Sequence, residues 1–167
     1  MRSKMHLFTL SLAAFMALAG CDKTAKEAPL TLGQIKEVQD PAADRARAKK
    51  ELENAIGDKV YFSLGQNTLS AKAREVLIRQ AAWLKKYPGM QITVAGHCDK
   101  RGTREFNIAL GSRRANSVKE FLVAQGICPS SINTMSYGKD RLFDDGSNDA
   151  AHARNRVVLT CVGSCYS

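Results

Sequence analysis

Two periodicities of hydrophobic and polar residues divide residues 59–161 into strands and helices. Met90, Ile92 and Val94 alternate with polar residues, which is typical of a strand, whereas residues 71–86 carry an apolar stripe at helical spacing. The predicted elements are strands at 59–64, 90–94, 132–137 and 156–161, and helices at 71–86, 104–125 and, briefly, 150–154. This βαβαβ(α)β order predicts the α/β (α+β) class, with helices packed on one face of a small mixed sheet.

The first 20 residues have the pattern of a secretory signal. Arg2 and Lys4 form a cationic head, residues 7–18 are mostly apolar, and Ala19 and Gly20 precede Cys21. The apolar run is shorter than the roughly 18–20 residues that cross a bilayer. We therefore predict an exported protein whose signal occupies residues 1–20.

The end of this signal, Leu18-Ala19-Gly20-Cys21, resembles a bacterial lipobox, in which the cysteine becomes the acylated N-terminus. We expect Cys21 to hold the protein on a lipid bilayer, because two or more acyl chains anchor a protein stably. The alternative is ordinary cleavage, which leaves a thiol near the terminus. Asp22 follows, and an acidic residue there resembles the inner-membrane retention signal of enterobacterial lipoproteins. The choice of membrane stays open at this point.

Composition and charge divide the rest of the chain. Residues 21–57 are predicted to be the lipidated N-terminus and a polar tether, in which Asp40-Pro41 begins a short helix that runs to Ile56. The globular domain is predicted at 58–161, followed by a tail at 162–167. Residues 59–167 contain 16 basic and 8 acidic side chains. This excess of positive charge favours an anionic partner.

A charged run follows the second predicted strand: Gly96-His97-Cys98-Asp99-Lys100-Arg101-Gly102. The next helix carries Asn107, Leu110 and Arg114 at a spacing that places them on one helical face. The Asp99 carboxylate and the Arg114 guanidinium can therefore converge at the edge of the sheet. The residues alone leave two interpretations, a structural salt bridge or a site for a charged ligand.

The longer run GHCDKRGTREFNIALGSRRANSV is similar to the signature of the OmpA-like C-terminal domain family. The resemblance covers about residues 58–160 and includes VYF at Val60–Phe62, SYGK at Ser136–Lys139 and ARNRVVL at Ala153–Leu159. It implies a non-catalytic protein that binds the peptide stem of peptidoglycan, mainly at diaminopimelate. Together with the lipobox, it implies a lipoprotein of the outer membrane that faces the periplasm and tethers this membrane to the cell wall. It also implies partners in the Tol system, which acts in cell division.

The same resemblance implies roles for single residues. The free end of diaminopimelate carries an ammonium beside a carboxylate. Asp99 is expected to bind the ammonium and Arg114 the carboxylate, since a guanidinium can bond both carboxylate oxygens. Leu110 is expected to form an apolar wall, and Asn107 either holds the loop or contacts the ligand.

Gly102 and Thr103 are expected to shape the loop, with backbone N–H groups near the helix start suited to a ligand carboxylate. The chain departs from the family pattern at three positions. Ser63 and Gly65 stand where many relatives carry acidic residues, so any ligand contact that a carboxylate makes there is expected to be absent, and a backbone N–H is the group that can remain. Cys98 stands where a small residue is usual.

Four cysteines remain beyond the lipidated one: Cys98, Cys128, Cys161 and Cys165. An oxidising compartment favours one or two disulfides among them. Cys161 and Cys165 can close a small loop, or the tail can tie back to Cys98 or Cys128. Neither pair has C-x-x-C spacing, so we predict no metal site. No other cofactor is predicted.

Adjacent His97 and Cys98 suggest the alternative of a Cys/His envelope enzyme. Neighbours in an extended segment point to opposite faces, so this pair does not form a nucleophile and its base. His97 is predicted to pack under the loop, and Trp83 and Phe106 to lie in the core. Arg113-Arg114 could suggest nucleic acid, but export removes that partner. The nearer alternative is another OmpA-like envelope lipoprotein, such as a secretion-system or inner-membrane anchor.

Overall fold

The computed structural model describes residues 41–166, which contain four α-helices and a four-stranded sheet. The elements in chain order are α1 (Pro41–Glu51) with a π-helical turn (Leu52–Ile56), β1 (Lys59–Tyr61), α2 (Ala71–Leu84), β2 (Ile92–His97), α3 (Arg104–Ala124), a 3₁₀ turn (Pro129–Ser131), β3 (Ile132–Gly138), α4 (Asp149–Asn155) and β4 (Val157–Val162). The strand order is β1-β4-β2-β3, with β2 and β3 parallel and β4 antiparallel to both of its neighbours. The predicted class and element order are confirmed.

Two strand boundaries differ from the prediction because turns and packing override the local pattern. β1 ends at Tyr61, and the chain then leaves the sheet through a turn in which Gln66 N donates to Ser63 O at 3.2 Å. Leu64 in this turn is 59% exposed. β2 continues past Gly96 to His97 with an irregular register between these two residues.

Helix α1 packs against the rest of the described chain. Ala48 and Leu52, one helical turn apart, are fully buried in the hydrophobic core. Tyr87 Oη donates a hydrogen bond of 2.6 Å to Glu51 Oε2. The packed part of the chain therefore begins before residue 58, which is the start predicted from the sequence. The sequence does not indicate this, because two buried side chains are too few to give α1 a clear amphipathic pattern.

The secretory signal, Cys21 and tether residues 22–40 lie outside the described residues. Within residues 41–166, every helix is too short or too polar to traverse a bilayer.

Close backbone contact fixes α3 on the sheet. A Cβ atom built on Gly96 of β2 would lie 2.0 Å from the carbonyl oxygen of Gly111 in α3, and one built on Gly111 would lie 2.3 Å from Ser136 Oγ in β3. Only glycine permits this approach. The contact sets the position of Arg114, which lies one helical turn after Gly111.

We expect Gly96→Ala to lower the free energy of unfolding by about 2–3 kcal/mol, because the methyl group forces α3 away from β2. Urea denaturation measures the change, and Ser112→Ala on the exposed face of α3 is the control, with an expected change within about 0.5 kcal/mol. Equal stability of Gly96→Ala and the wild type would contradict the close contact.

The C-terminal tail folds back across the sheet. Cys161 and Cys165 form a disulfide bond, which was one of the pairings that the sequence left open. Cys98 is a buried thiol, and Cys128 Sγ lies 3.2 Å from Ser130 Oγ. Beyond the disulfide, the Tyr166 hydroxyl lies 3.4 Å from His97 Nε2. The tail therefore covers the side chain of the last residue of β2.

Replacing Cys165 by Ser is expected to lower the free energy of unfolding by about 2 kcal/mol, because the short loop that the disulfide closes is then free in the unfolded chain. Denaturant unfolding with and without a reductant provides the measurement. The reductant should destabilise the wild type and leave Cys165→Ser unaffected. A wild type that is insensitive to full reduction would contradict this prediction.

Candidate ligand-binding site

The loop between β2 and α3 is held from the start of α3. Thr103 is the N-cap of the helix, and its Oγ1 accepts a hydrogen bond of 3.2 Å from Phe106 N. The buried Asn107 amide donates to the carbonyl oxygens of Arg101 at 2.8 Å and Thr103 at 3.0 Å. Asn107 therefore supports the loop, the first of the two roles that the sequence left open for it.

Arg114 is fully buried and binds backbone carbonyls from two segments. Its Nε donates to Gln66 O at 2.8 Å, Nη1 to His97 O at 2.9 Å and Nη2 to Ser63 O at 3.1 Å. Nη1 also lies 3.5 Å from Cys98 Sγ. Among the described residues these bonds leave one N–H of the Nη2 group without a partner. The side chain thus joins the turn after β1 to the end of β2.

Asp99 is paired with two other arginines. Arg101 bonds both carboxylate oxygens, Nε to Oδ1 at 3.2 Å and Nη2 to Oδ2 at 2.7 Å, and Arg156 Nη1 lies 3.3 Å from Oδ2. A direct salt bridge between Asp99 and Arg114 is absent among these contacts. The interpretation of Asp99 and Arg114 as a structural salt bridge is therefore wrong, because Asp99 pairs with Arg101 and Arg156 instead.

A cavity of about 180 Å³ opens between the turn after β1, the β2–α3 loop and α3. Five of the residues predicted to bind the ligand line it: Asp99, Arg114, Leu110, Asn107 and Gly102. Thr103 and Ser63 do not. Thr103 caps α3 with its side chain, while Ser63 lies in a neighbouring groove and gives its carbonyl to Arg114.

Other residues that line the cavity were not predicted from the sequence, or were predicted to lie elsewhere. Phe106 was predicted to lie in the core, but its side chain is 52% exposed and lines the cavity, because the first turn of α3 is exposed. Leu64, Arg101 and Arg156 also line the cavity. Arg101 lies in the motif GHCDKRG and Arg156 in ARNRVVL. The sequence therefore contained a signal for these two residues, but it did not predict their contacts.

The charges around the cavity favour a ligand with a carboxylate. Three guanidinium groups, of Arg101, Arg114 and Arg156, surround the single carboxylate of Asp99. Burial by itself raises the pKa of Asp99, but the hydrogen bonds from Arg101 and Arg156 outweigh it and hold that pKa below its ordinary value. Burial lowers the pKa of Arg114. The site therefore holds one buried anion beside an excess of cations.

The lowered pKa of Asp99 makes part of the stability depend on pH. The ionised carboxylate stabilises the fold above the pKa that it has in the unfolded chain, and this contribution is lost as the pH falls through the lower folded value. We expect the difference in unfolding free energy between the wild type and Asp99→Asn to be largest near neutral pH and to shrink below about pH 4. Urea denaturation across this range measures it. A constant difference down to about pH 3 would contradict the assigned pairing.

His97 and Cys98 face different surroundings. The His97 ring stacks on Tyr137, with ring centroids 5.3 Å apart, and its Nδ1 lies 3.0 Å from Arg141 O. The Cys98 thiol donates to Asn107 O at 3.3 Å on the α3 side. Burial lowers the pKa of His97 and raises that of Cys98. These surroundings favour a neutral imidazole and a protonated thiol, and neither group activates the other.

Comparison with known proteins identifies the family of this chain. A family model described as OmpA family matches residues 61–156. Two relatives named "Peptidoglycan-associated lipoprotein" match nearly the whole chain. The one from Agrobacterium fabrum is 34% identical over 92% of this chain and 86% of its own length, and the one from Mesorhizobium japonicum is 36% identical over 95% and 92%.

Solved structures show the same fold. The crystal structure of the peptidoglycan-associated lipoprotein from Burkholderia pseudomallei covers 63% of this chain and 89% of its own, with a TM-score of 0.61 at 30% identity. The C-terminal domain of Helicobacter pylori MotB has a TM-score of 0.60, covers 66% of this chain and 87% of its own, and is 20% identical, so this likeness concerns the fold alone.

The fold and the charged cavity define an α/β binding domain, and the relatives support the prediction that the chain is not an enzyme. The chain belongs to the OmpA family, and the resemblance drawn from its sequence motifs is confirmed.

Proposed function

We propose that this protein binds peptidoglycan non-covalently and thereby ties the membrane that carries it to the cell wall. The observation that supports this function is the small cavity lined by the buried Asp99 and Arg114. One anion and a surplus of cations, close together in a cavity of this size, match the end of an amino acid that carries both an ammonium and a carboxylate. The names of the relatives point to the same polymer.

Within this proposal the ligand is the diaminopimelate of the stem peptide. Asp99 accepts hydrogen bonds from the ligand ammonium, and Arg114, at the floor of the cavity, attracts the carboxylate with its charge and its remaining Nη2–H. Leu110 supplies an apolar wall for the methylene chain of the ligand. Charged hydrogen bonds contribute roughly 1.5–3 kcal/mol each, so two of them discriminate against a stem that lacks one group.

The loop residues position this pair. Asn107 holds the loop through the Arg101 and Thr103 carbonyls. Gly102 lines the cavity, and Thr103 caps α3. Ser63 acts through its backbone, since its carbonyl binds Arg114.

The anchoring half of the proposal rests on Cys21 as the acylated residue. Relatives named as lipoproteins over nearly the whole chain support it and favour the outer membrane, with the domain in the periplasm. Labelling with a radioactive fatty acid should mark the wild type and not Cys21→Ser.

Membrane fractionation of Asp22→Ser decides whether Asp22 affects sorting to the inner membrane. Action with Tol proteins in cell division belongs to the same proposal.

The ligand itself provides the sharpest test of binding. Purified full-length protein in detergent is mixed with isolated sacculi that contain diaminopimelate or, in a matched preparation, lysine, whose side chain has the ammonium but lacks the carboxylate. We expect retention on diaminopimelate sacculi and about tenfold weaker binding to lysine sacculi. Equal retention on both would contradict recognition of the carboxylate, and retention on neither would contradict the proposed function.

A further inference from the structure

The Asp99 carboxylate, which is proposed to bind the ligand ammonium, already pairs with an arginine of its own loop. Arg101 makes a two-pronged contact with Asp99, Nη2 to Oδ2 at 2.7 Å and Nε to Oδ1 at 3.2 Å. The Asp99 side chain is 5% exposed, whereas that of Arg101 is 44% exposed. A cationic group that comes from solvent therefore meets Arg101 before it meets Asp99.

The two arginines that pair with Asp99 differ in how firmly they are held. The Arg156 side chain is 16% exposed, and its Nε also donates to Phe62 O at 3.0 Å. The Arg101 guanidinium donates only to Asp99 within the described part of the chain. Arg156 is therefore a fixed partner, and Arg101 is the one that can leave.

The loop does not depend on the Arg101 side chain. The backbone N–H of Arg101 donates to Asp99 Oδ1 at 3.2 Å, and its carbonyl accepts from Asn107 at 2.8 Å. Lys139 Nζ donates to the Gly102 carbonyl at 2.6 Å. The guanidinium can swing into solvent while these bonds keep the loop in place.

We propose that Arg101 is an internal competitor of the ligand: its guanidinium occupies the place of the ligand ammonium on Asp99 and must leave before the ligand binds. This inference rests on the proposed function. Because only the fraction of molecules with Arg101 released can bind, the pairing lowers the apparent affinity and the association rate. Arg101 is thus a residue that sets affinity without being a ligand contact.

The test compares Arg101→Gln with the wild type by calorimetric titration and stopped-flow binding of a soluble diaminopimelate-containing stem peptide to the full-length protein. We expect about threefold to tenfold tighter binding, carried by faster association, because a partly exposed pair is removed. Arg101→Lys, which keeps the charge but loses the two-pronged contact, should fall between the two. Arg101→Gln that binds as the wild type does, or more weakly, would overturn the proposal.

The control for charge is Arg104→Gln. Arg104 makes a similar two-pronged pair with Asp140, Nε to Oδ1 at 3.2 Å and Nη2 to Oδ2 at 2.7 Å, and does not line the cavity. Loss of this charge should leave binding unchanged or weaken it slightly, whereas Arg101→Gln should strengthen it. A matching increase in Arg104→Gln would overturn the proposal by showing a general charge effect.

Two further measurements separate this inference from the proposed function. If the wild type binds the stem peptide and Asp99→Asn does not, the proposed function holds, and the Arg101 variants alone decide the competition. If the wild type does not bind, both proposals are overturned. Without ligand, NMR titration of the Asp99 carboxyl should show a higher pKa in Arg101→Gln than in the wild type, and an unchanged pKa would overturn the pairing on which the competition depends.

Discussion

Asp99→Asn is expected to lower the affinity for a diaminopimelate-containing stem peptide about 100-fold. The substitution keeps the size of the side chain but removes the negative charge that pairs with the ligand ammonium, and a charged hydrogen bond in a buried site contributes up to about 3 kcal/mol. It also leaves Arg156, whose side chain is 16% exposed, without its anionic partner. Calorimetric titration measures the affinity, and sacculus binding provides an independent readout.

The matched control is Asp140→Asn. Asp140 also pairs with an arginine, Arg104, at 2.7 Å, but its side chain is 37% exposed and lies outside the cavity. This variant should bind as the wild type does. Circular dichroism must show that both variants are folded under the binding conditions. Wild-type affinity in a folded Asp99→Asn would refute the assignment of Asp99 as the ammonium-binding residue.

The second large effect concerns stability. Arg114→Ala is expected to lower the free energy of unfolding by about 3–5 kcal/mol. The substitution removes the donor that three backbone carbonyls share, those of Ser63, Gln66 and His97, and empties a fully buried position. The ring of Phe62, whose centroid lies 5.2 Å from Arg114 Cζ, also loses its cationic neighbour. Urea denaturation measures the loss.

Arg113→Ala is the control on the same helix, since Arg113 is exposed. Its change should lie within about 0.5 kcal/mol. A loss below about 1 kcal/mol in Arg114→Ala would show that the turn after β1 is held by other contacts. Because Arg114 has this structural role, weaker binding by Arg114→Ala cannot by itself prove contact with the ligand carboxylate. The comparison of lysine and diaminopimelate sacculi tests that contact without altering the protein.

Local pattern was sufficient for much of the fold. The alternation around Ile92 and Val94 predicted β2, and the apolar stripe of residues 71–86 predicted α2. This helix begins after Ser70, whose side chain accepts from Ala73 N at 3.2 Å. These features depend on residues within one or two turns of each other. Helix α1 was harder, because its place in the core depends on only two side chains, those of Ala48 and Leu52.

The sequence by itself determined the class of fold, the family and the face of α3 on which Asn107, Leu110 and Arg114 lie, because helical and strand periodicities are properties of short segments. Only the tertiary structure decided which charges meet. Arg114 reaches Gln66 and Ser63, 48 and 51 positions earlier, and Arg156 reaches Asp99, 57 positions away. Hydrogen-bond partners at such separations depend on how the turn after β1, the β2–α3 loop and β4 are brought together, and no local pattern encodes that arrangement.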